Sequence, residues 1–407
     1  MNQKTFTGIL ELDGHRGGRL RELSLMLDRQ PGDPAVGHDL IARYKLREGS
    51  LVEAEVSTGQ EGGRPQHQGG GRDHRQNHQQ AQQQAQQQEQ RQGRGQSGPR
   101  VTGVLSINGL APDAWAAREE YQKLTAIDPN ERIMLSGPDA DISMRIVDLI
   151  APVGKGQRAL IVAPPKSGKT MLMQSFAHAI GANNPEIDLL VLLVDERPEE
   201  VTDMRRTIKG QVFASSNDHD VESHTRLSKL TLEYAKRKVE AGRDVVILLD
   251  SLTRLGRVFN SAQKGSGRTM SGGVDIRALE IPKRIFGAAR ALEGGGSLTI
   301  IATALVDTNS RMDELIFQEF KGTGNMELVL DRDLSNERIF PAINVVESGT
   351  RREELLFKSE TPKYHALRRA IHRMKPREAM LMLLKAVADH PTNRRLLARM
   401  AGENVPA

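Results

Sequence analysis

The chain has 407 residues, 38% of them hydrophobic and 27% charged, which is enough for two domains and one sizeable core. It has no cysteine, which excludes disulfides and thiolate metal sites, and no apolar run approaches the ~18 residues that cross a bilayer. A formal charge of +5 favours a polyanionic partner, and the first residues show no basic-then-apolar leader, so a cytoplasmic protein without a membrane partner is expected.

Between Thr5 and Val56, short alternating runs such as Phe6–Leu12 and Leu51–Val56 are separated by Gly, Asp and Pro. They predict strands of a small β-rich module. Residues 57–97 are Gln, Gly, Arg and His with almost no apolar side chain. Such a segment cannot bury enough surface to offset its ordering entropy, so disorder is expected. Val101–Ile107 then resumes strand character, which makes 57–97 an insert in one module spanning 1–56 and 98–125 rather than a linker.

The remaining 126–407 reads as a second domain. From about Asp141, apolar runs at Arg158–Ala163, Leu189–Val194, Val212–Ser215, Val245–Asp250 and Leu298–Ala304 alternate with helical stretches. The helical stretches are Thr170–Ile180, Val221–Ala241, Leu252–Ser261 and Arg277–Ala291. This alternation predicts a mostly parallel sheet covered by helices on both faces. Pro362–Met400 is helical and basic.

The strongest local signal is Ala163-Pro164-Pro165-Lys166-Ser167-Gly168-Lys169-Thr170. It follows an apolar strand and opens a helix at Met171, the context that a phosphate-binding P-loop requires, although Ala replaces the usual first Gly. Backbone N–H groups there face the phosphates of ATP, where the helix dipole favours negative charge. Lys169 would reach the β- and γ-phosphates, and the Thr170 hydroxyl would ligate Mg²⁺. Val245–Asp250 is an apolar strand ending in a carboxylate, so Asp250 would hold Mg²⁺ through water. Leu190–Val194 leads into Asp195-Glu196-Arg197-Pro198. Carboxylates at the carboxyl ends of neighbouring parallel strands converge on one crevice, which makes Glu196 the candidate to activate water. Asp195 and Arg197 either belong to that site or pair with each other or with the loop.

Several motifs in order resemble the Rho family of bacterial transcription terminators. They are Ile161–Lys166, Val194–Val201, Leu249–Arg254, Ser271–Asp275, Phe320–Glu327 and Ser348–Arg351. The resemblance implies a RecA-like P-loop ATPase core preceded by a small OB-like β-barrel module. It also implies a homohexameric ring, with ATP bound between subunits, acting on single-stranded RNA and the RNA polymerase elongation complex. Arg351 matches an arginine finger that reaches the adjacent subunit, or is a surface residue beside Glu353 and Glu354. Arg338 matches an interface arginine, Phe340 either packs on adenine or is core, and Arg254 matches a residue that couples the nucleotide site to the ring interior. Two loops would face the central hole. One is Lys264–Asp275, with Lys264 and Arg268, and the other is Lys321-Gly322-Thr323-Gly324.

The N-terminal module departs from that family. A helical subdomain that usually comes first is expected to be absent. Gly14–Leu20 and Ala35 lack the aromatics on which bases stack, a loss of ~1–3 kcal/mol per base. The site then uses Arg16 and Arg19 electrostatically or is no RNA site, and the insert's arginines are either a cationic tether or a spacer. The expected function is an RNA-dependent ATPase and 5′-to-3′ translocase or helicase that terminates transcription. The alternatives are a ring ATPase acting on protein, of rotary or export type, and an RNA-binding regulator with a weak motor.

Overall fold

The computed structural model describes residues 4–14, 17–57, 98–137, 140–263, 273–275 and 277–402. These fall into two compact units, Met1–Leu23 with Leu27–Ala117, and Ser24–Met26 with Arg118–Ala407.

The first unit is a closed barrel of β1 (Lys4–Leu12), β2 (Gly18–Arg21), β3 (Ala35–Val36), β4 (Leu51–Ser57) and β5 (Arg100–Ile107), in the order β1-β2-β3-β5-β4. Strand alternation sends Val52, Ala54 and Val56 inward with Leu10, Leu20 and Val101, and closure leaves no sheet edge exposed. Ser57 pairs with Arg100 across the antiparallel β4–β5 ladder. The chain between them therefore joins two neighbouring strands of one barrel. Of the 57–97 insert, Ser57 ends β4 and residues 58–97 lie outside the described residues, as does Arg16.

This barrel buries charge. Arg21 donates to Glu11 at 2.5 Å and to Asp33 at 2.6 Å, and Arg29 reaches the other oxygen of Glu11 at 2.9 Å. Beside this network Arg19 is half-exposed, donating to the Asp33 carbonyl at 3.2 Å and lying 3.9 Å from Asp13. Ala35 sits in β3 with no ring to offer.

The second unit holds a nine-stranded sheet. Its strands are β6 (Ala126–Ile127), β7 (Arg158–Ala163), β8 (Asp188–Glu196), β9 (Gln211–Ser216), β10 (Asp244–Asp250), β11 (Arg290–Leu292), β12 (Ser297–Leu305), β13 (Met326–Val329) and β14 (Gly349–Thr350). The order is β14-β13-β7-β12-β10-β8-β9, parallel from β13 to β9, with β11 antiparallel on β12 and β6 on β11. The helices that matter to the site are α1 (Lys169–Asn183), α2 (Pro198–Thr207), α3 (Val221–Glu240), α4 (Leu252–Ala262) and α5 (Arg311–Lys321). This is a RecA-like P-loop architecture. Its main core packs Leu172, Met173 and Phe176 of α1 on Ile161, Leu193 and Leu248 of the sheet.

Two features differ from the sequence expectation. The helix expected over Arg277–Ala291 is formed only at Glu280–Gly287, and Arg290–Leu292 turn into β11. Gly294, Gly295 and Gly296 all take positive φ between β11 and β12, so the chain reverses and Ala291 pairs with Ser297. Short β13 and β14 extend the sheet where alternation over so few residues gives no signal. Three helices, Thr361–Ile371, Pro376–Ala388 and Asn393–Met400, form the basic C-terminal part. Among the described residues no helix is long and apolar enough to cross a membrane.

Candidate nucleotide site and its neighbours

β7 is central and apolar on both faces, and it delivers Pro164-Pro165-Lys166-Ser167-Gly168 to the carboxyl edge of the sheet. Lys166 and Gly168 both take the left-handed region, with φ of 65° and 88°, which turns the loop back on itself before α1 starts at Lys169. Ser167 donates to the Pro164 carbonyl at 2.7 Å, and Ser335 donates to the Lys166 carbonyl at 2.8 Å. A loop held from both sides keeps its N–H groups aimed at one spot. Met171, in the first turn of α1, is mostly exposed.

Lys169, Asp250 and Glu196 meet at this edge. Lys169 Nζ donates to Asp250 Oδ1 at 2.6 Å, and Thr303 of β12 donates to the same oxygen at 2.7 Å. Glu196 Oε1 lies 3.5 Å from Lys169 Nζ. Burial opposes the charge on Lys169, but the Asp250 and Glu196 carboxylates outweigh it and raise its pKa above the ordinary lysine value. Glu196 is 1% exposed. Burial first, and the Asp250 charge second, push its carboxyl up to about 7, against the pull of Lys169 and Arg254.

Arg254, in the first turn of α4, closes the cluster. Its Nη1 donates to the Asp195 carbonyl, and its Nε lies 3.0 Å from Glu196 Oε1. That ion pair is close but is not aligned as a hydrogen bond, and both Glu196 oxygens are buried without a hydrogen-bond partner among the described residues. A buried carboxylate in that state is open to a donor from outside the protein, such as a water.

Thr170 donates to Glu200 of α2 at 3.3 Å. Glu200 and Thr303 escaped the sequence reading. Glu200 had a signal, since Pro198-Glu199-Glu200 is a typical acidic first turn, whereas Thr303 is placed only by the β10–β12 pairing. Phe340 is 47% exposed, and a Cβ built on Gly168 would lie 3.7 Å from its ring. The ring therefore flanks the P-loop rather than filling the core. Arg338 is exposed two residues earlier, with φ of 61°. Arg197 is the exposed N-cap residue of α2, with no side-chain partner among the described residues.

Arg351 is not brought to this cluster. It follows β14, and its N–H donates to the Asn325 carbonyl at 2.9 Å, while Asn325 in turn donates from its N–H to Arg158 at the start of β7. The phosphate loop begins at the other end of β7, about 16 Å away at ~3.3 Å per residue. Lys321, Gly322, Thr323 and Gly324 lie at that same amino end. Lys321 Nζ is 4.0 Å from Glu327 and half-exposed, and the Thr323 carbonyl accepts from Arg158 Nε at 2.9 Å. Lys264 and Arg268 lie outside the described residues.

Comparison with known proteins agrees with this geometry. Residues 143–350 match the ATP synthase alpha/beta family, nucleotide-binding domain. The chain is 46% identical over 404 residues to transcription termination factor Rho of Streptomyces coelicolor, covering 98% of this chain and 86% of that one. It is 56% identical over 296 residues to the Rho of Streptomyces lividans, covering 72% of this chain and 42% of the relative. It is 47% identical to that of Micrococcus luteus, covering 90% and 50%. The chain thus spans half or less of the length of the last two relatives. Among solved structures, an ATPase of a bacterial type III secretion system superposes with a TM-score of 0.55 at 21% identity, over 68% of this chain and 81% of that one. The assembled ATPase EscN gives 0.55 at 18% identity, over 70% and 74%. At such identities these two establish the fold alone.

Proposed function

The chain belongs to the transcription termination factor Rho family, and from that premise we propose that it is an RNA-stimulated ATPase that translocates 5′ to 3′ along RNA and terminates transcription as a homohexameric ring. The observation that carries this reading is the cluster of buried Asp250 and Glu196 with part-buried Lys169 and Arg254 beside a P-loop held in shape by Ser167 and Ser335.

The chemistry follows from the residues. Lys169 exchanges its carboxylate partners for the β- and γ-phosphate oxygens of ATP, while the first N–H groups of α1 bind the same anion. Phe340 offers a ring face beside the loop to the adenine. Glu196, poised near neutral pH, orients a water and takes its proton as the water attacks the γ-phosphorus. Thr170 and Asp250 fit a magnesium ion, because they place a hydroxyl and a carboxylate, both hard oxygen donors, beside the P-loop. Mg²⁺ would supply charge neutralisation at the phosphates. Arg351 stands too far from its own P-loop to act there, which supports its use in the site of a neighbouring subunit. Lys321 at the amino edge, with Lys264 and Arg268, supplies cationic loops for the RNA backbone.

ATP hydrolysis measured with and without homopolymer RNA, poly(C) included, tests this. RNA should raise turnover severalfold or more. Turnover indifferent to every RNA would instead favour a ring ATPase that acts on protein.

A further inference from the structure

The position of Glu196 is not what its strand would give it. Side chains alternate along a strand. In β8, Leu189, Val191 and Leu193 belong to the core beneath α1, so Leu190, Leu192 and Val194 face the opposite side. Simple alternation would put Glu196 with Val194, away from α1. In β10, Val246 and Leu248 share the core with α1, which brings Asp250 out on the side of Lys169. An unbroken β8 would thus separate the two carboxylates by the thickness of the sheet.

The chain avoids this with one extra residue. Val194 pairs with Ser215 and Glu196 with Ser216, so Asp195 has no partner of its own in β9. Asp195 is a β-bulge with φ of 57°. On β9, Ala214 is in the core beneath α1, so Ser216 and its partner Glu196 point to that side too. The bulge has reversed the phase of the strand at its last residue.

We propose that Asp195 is a positioning residue, whose left-handed backbone, clamped at its carbonyl by Arg254, turns Glu196 into the nucleotide site. Asp enters the left-handed region more readily than most side chains, and a β-branched residue resists it strongly. The clamp and the aimed group share one guanidinium, because Arg254 holds the Asp195 carbonyl and lies 3.0 Å from Glu196. A shift of α4 would therefore move the backbone of the bulge and the charge beside Glu196 together. The inference rests on the reading of Glu196 as the water-activating group.

The test compares ATP dissociation constants and kcat for the full chain with Asp195→Val, Asp195→Gly, Glu196→Gln and the Asp195→Val/Glu196→Gln double variant. Asp195→Val should lower kcat about 10²-fold or more, the scale of losing a positioned base, with ATP affinity within a few-fold of wild type. Retained ATP affinity also shows that the variant is folded. Asp195→Gly has no carboxylate but enters the left-handed region freely, and it should restore kcat to within a few-fold. The double variant should be no slower than Glu196→Gln, since both changes act through one carboxylate. An active Asp195→Val beside an inactive Glu196→Gln overturns the positioning role alone. So does an Asp195→Gly as slow as Asp195→Val, or losses that multiply in the double variant. Full turnover in Glu196→Gln overturns the water-activating reading and this inference with it.

Discussion

Glu196 combines almost complete burial with a carboxyl pushed up to about 7, and both properties predict measurable pH behaviour. Only the ionised form accepts a proton from water. The kcat/KM for ATP should therefore rise with pH through about 7, and a pH profile of Glu196→Gln should lack that limb. Stability runs in the opposite sense. The ordinary value is 4.5 and the folded value about 7, so between those limits the folded state binds more protons than the unfolded one. Stability from this group is full below about 4.5, is lost as pH rises through 7, and is flat above. The loss is at most ~3 kcal/mol at 1.36 kcal/mol per unit. Thermal melts from pH 5 to 8 should fall less steeply for Glu196→Gln than for the wild type, and parallel curves would mean that the carboxyl is not perturbed.

Among elements, the barrel carries an ion network centred on an arginine nearly sealed from solvent. Arg21 is 2% exposed and satisfies Glu11 and Asp33 at once. Removing it takes the Arg21 charge from two buried carboxylates, Glu11, which Arg29 also contacts at 2.9 Å, and Asp33. Breaking such a network by deleting one member costs about 3–5 kcal/mol. Arg21→Ala should lower barrel stability by that order in denaturant unfolding, whereas the half-exposed Arg19→Ala should cost under ~1 kcal/mol. Equal effects would show that burial does not govern this network. Gly14–Leu20 and Ala35 hold no Phe, Tyr or Trp, as the sequence alone shows.

For the whole molecule, the separation of Arg351 from Lys169 along β7 makes a statement about assembly. If each arginine serves a neighbour, subunits carrying Arg351→Ala and subunits carrying Lys169→Ala are each inactive alone. Mixed, they form some interfaces with an intact P-loop facing an intact arginine. Turnover of mixed rings should exceed that of either parent, approaching about one quarter of wild type at equal mixing if sites act independently, and each added finger is worth ~10³–10⁵ in rate. Mixed rings as inactive as the parents would place Arg351 in a role within its own subunit.

What the sequence determined by itself is local. The P-loop is legible because a phosphate cradle needs Gly168, Lys169 and Thr170 at fixed spacing between a strand and a helix. The βα alternation is legible because burial on both faces makes central strands continuously apolar, and the Asp250 strand end follows from it. Only the tertiary structure decided the rest. Arg290–Leu292 became a strand because β12 offered a partner, which helical propensity does not register. Thr303 reached Asp250 through the β10–β12 register, and Arg351 was set at the far end of the sheet by pairing of β14 with β13. Above all, the sequence offered Glu196 as the water-activating candidate and left Asp195 open, without showing how two adjacent acids come to face opposite sides. Which of them faces Lys169 depends on a single unpaired residue against β9, and strand pairing is a relation between segments that neither segment contains alone.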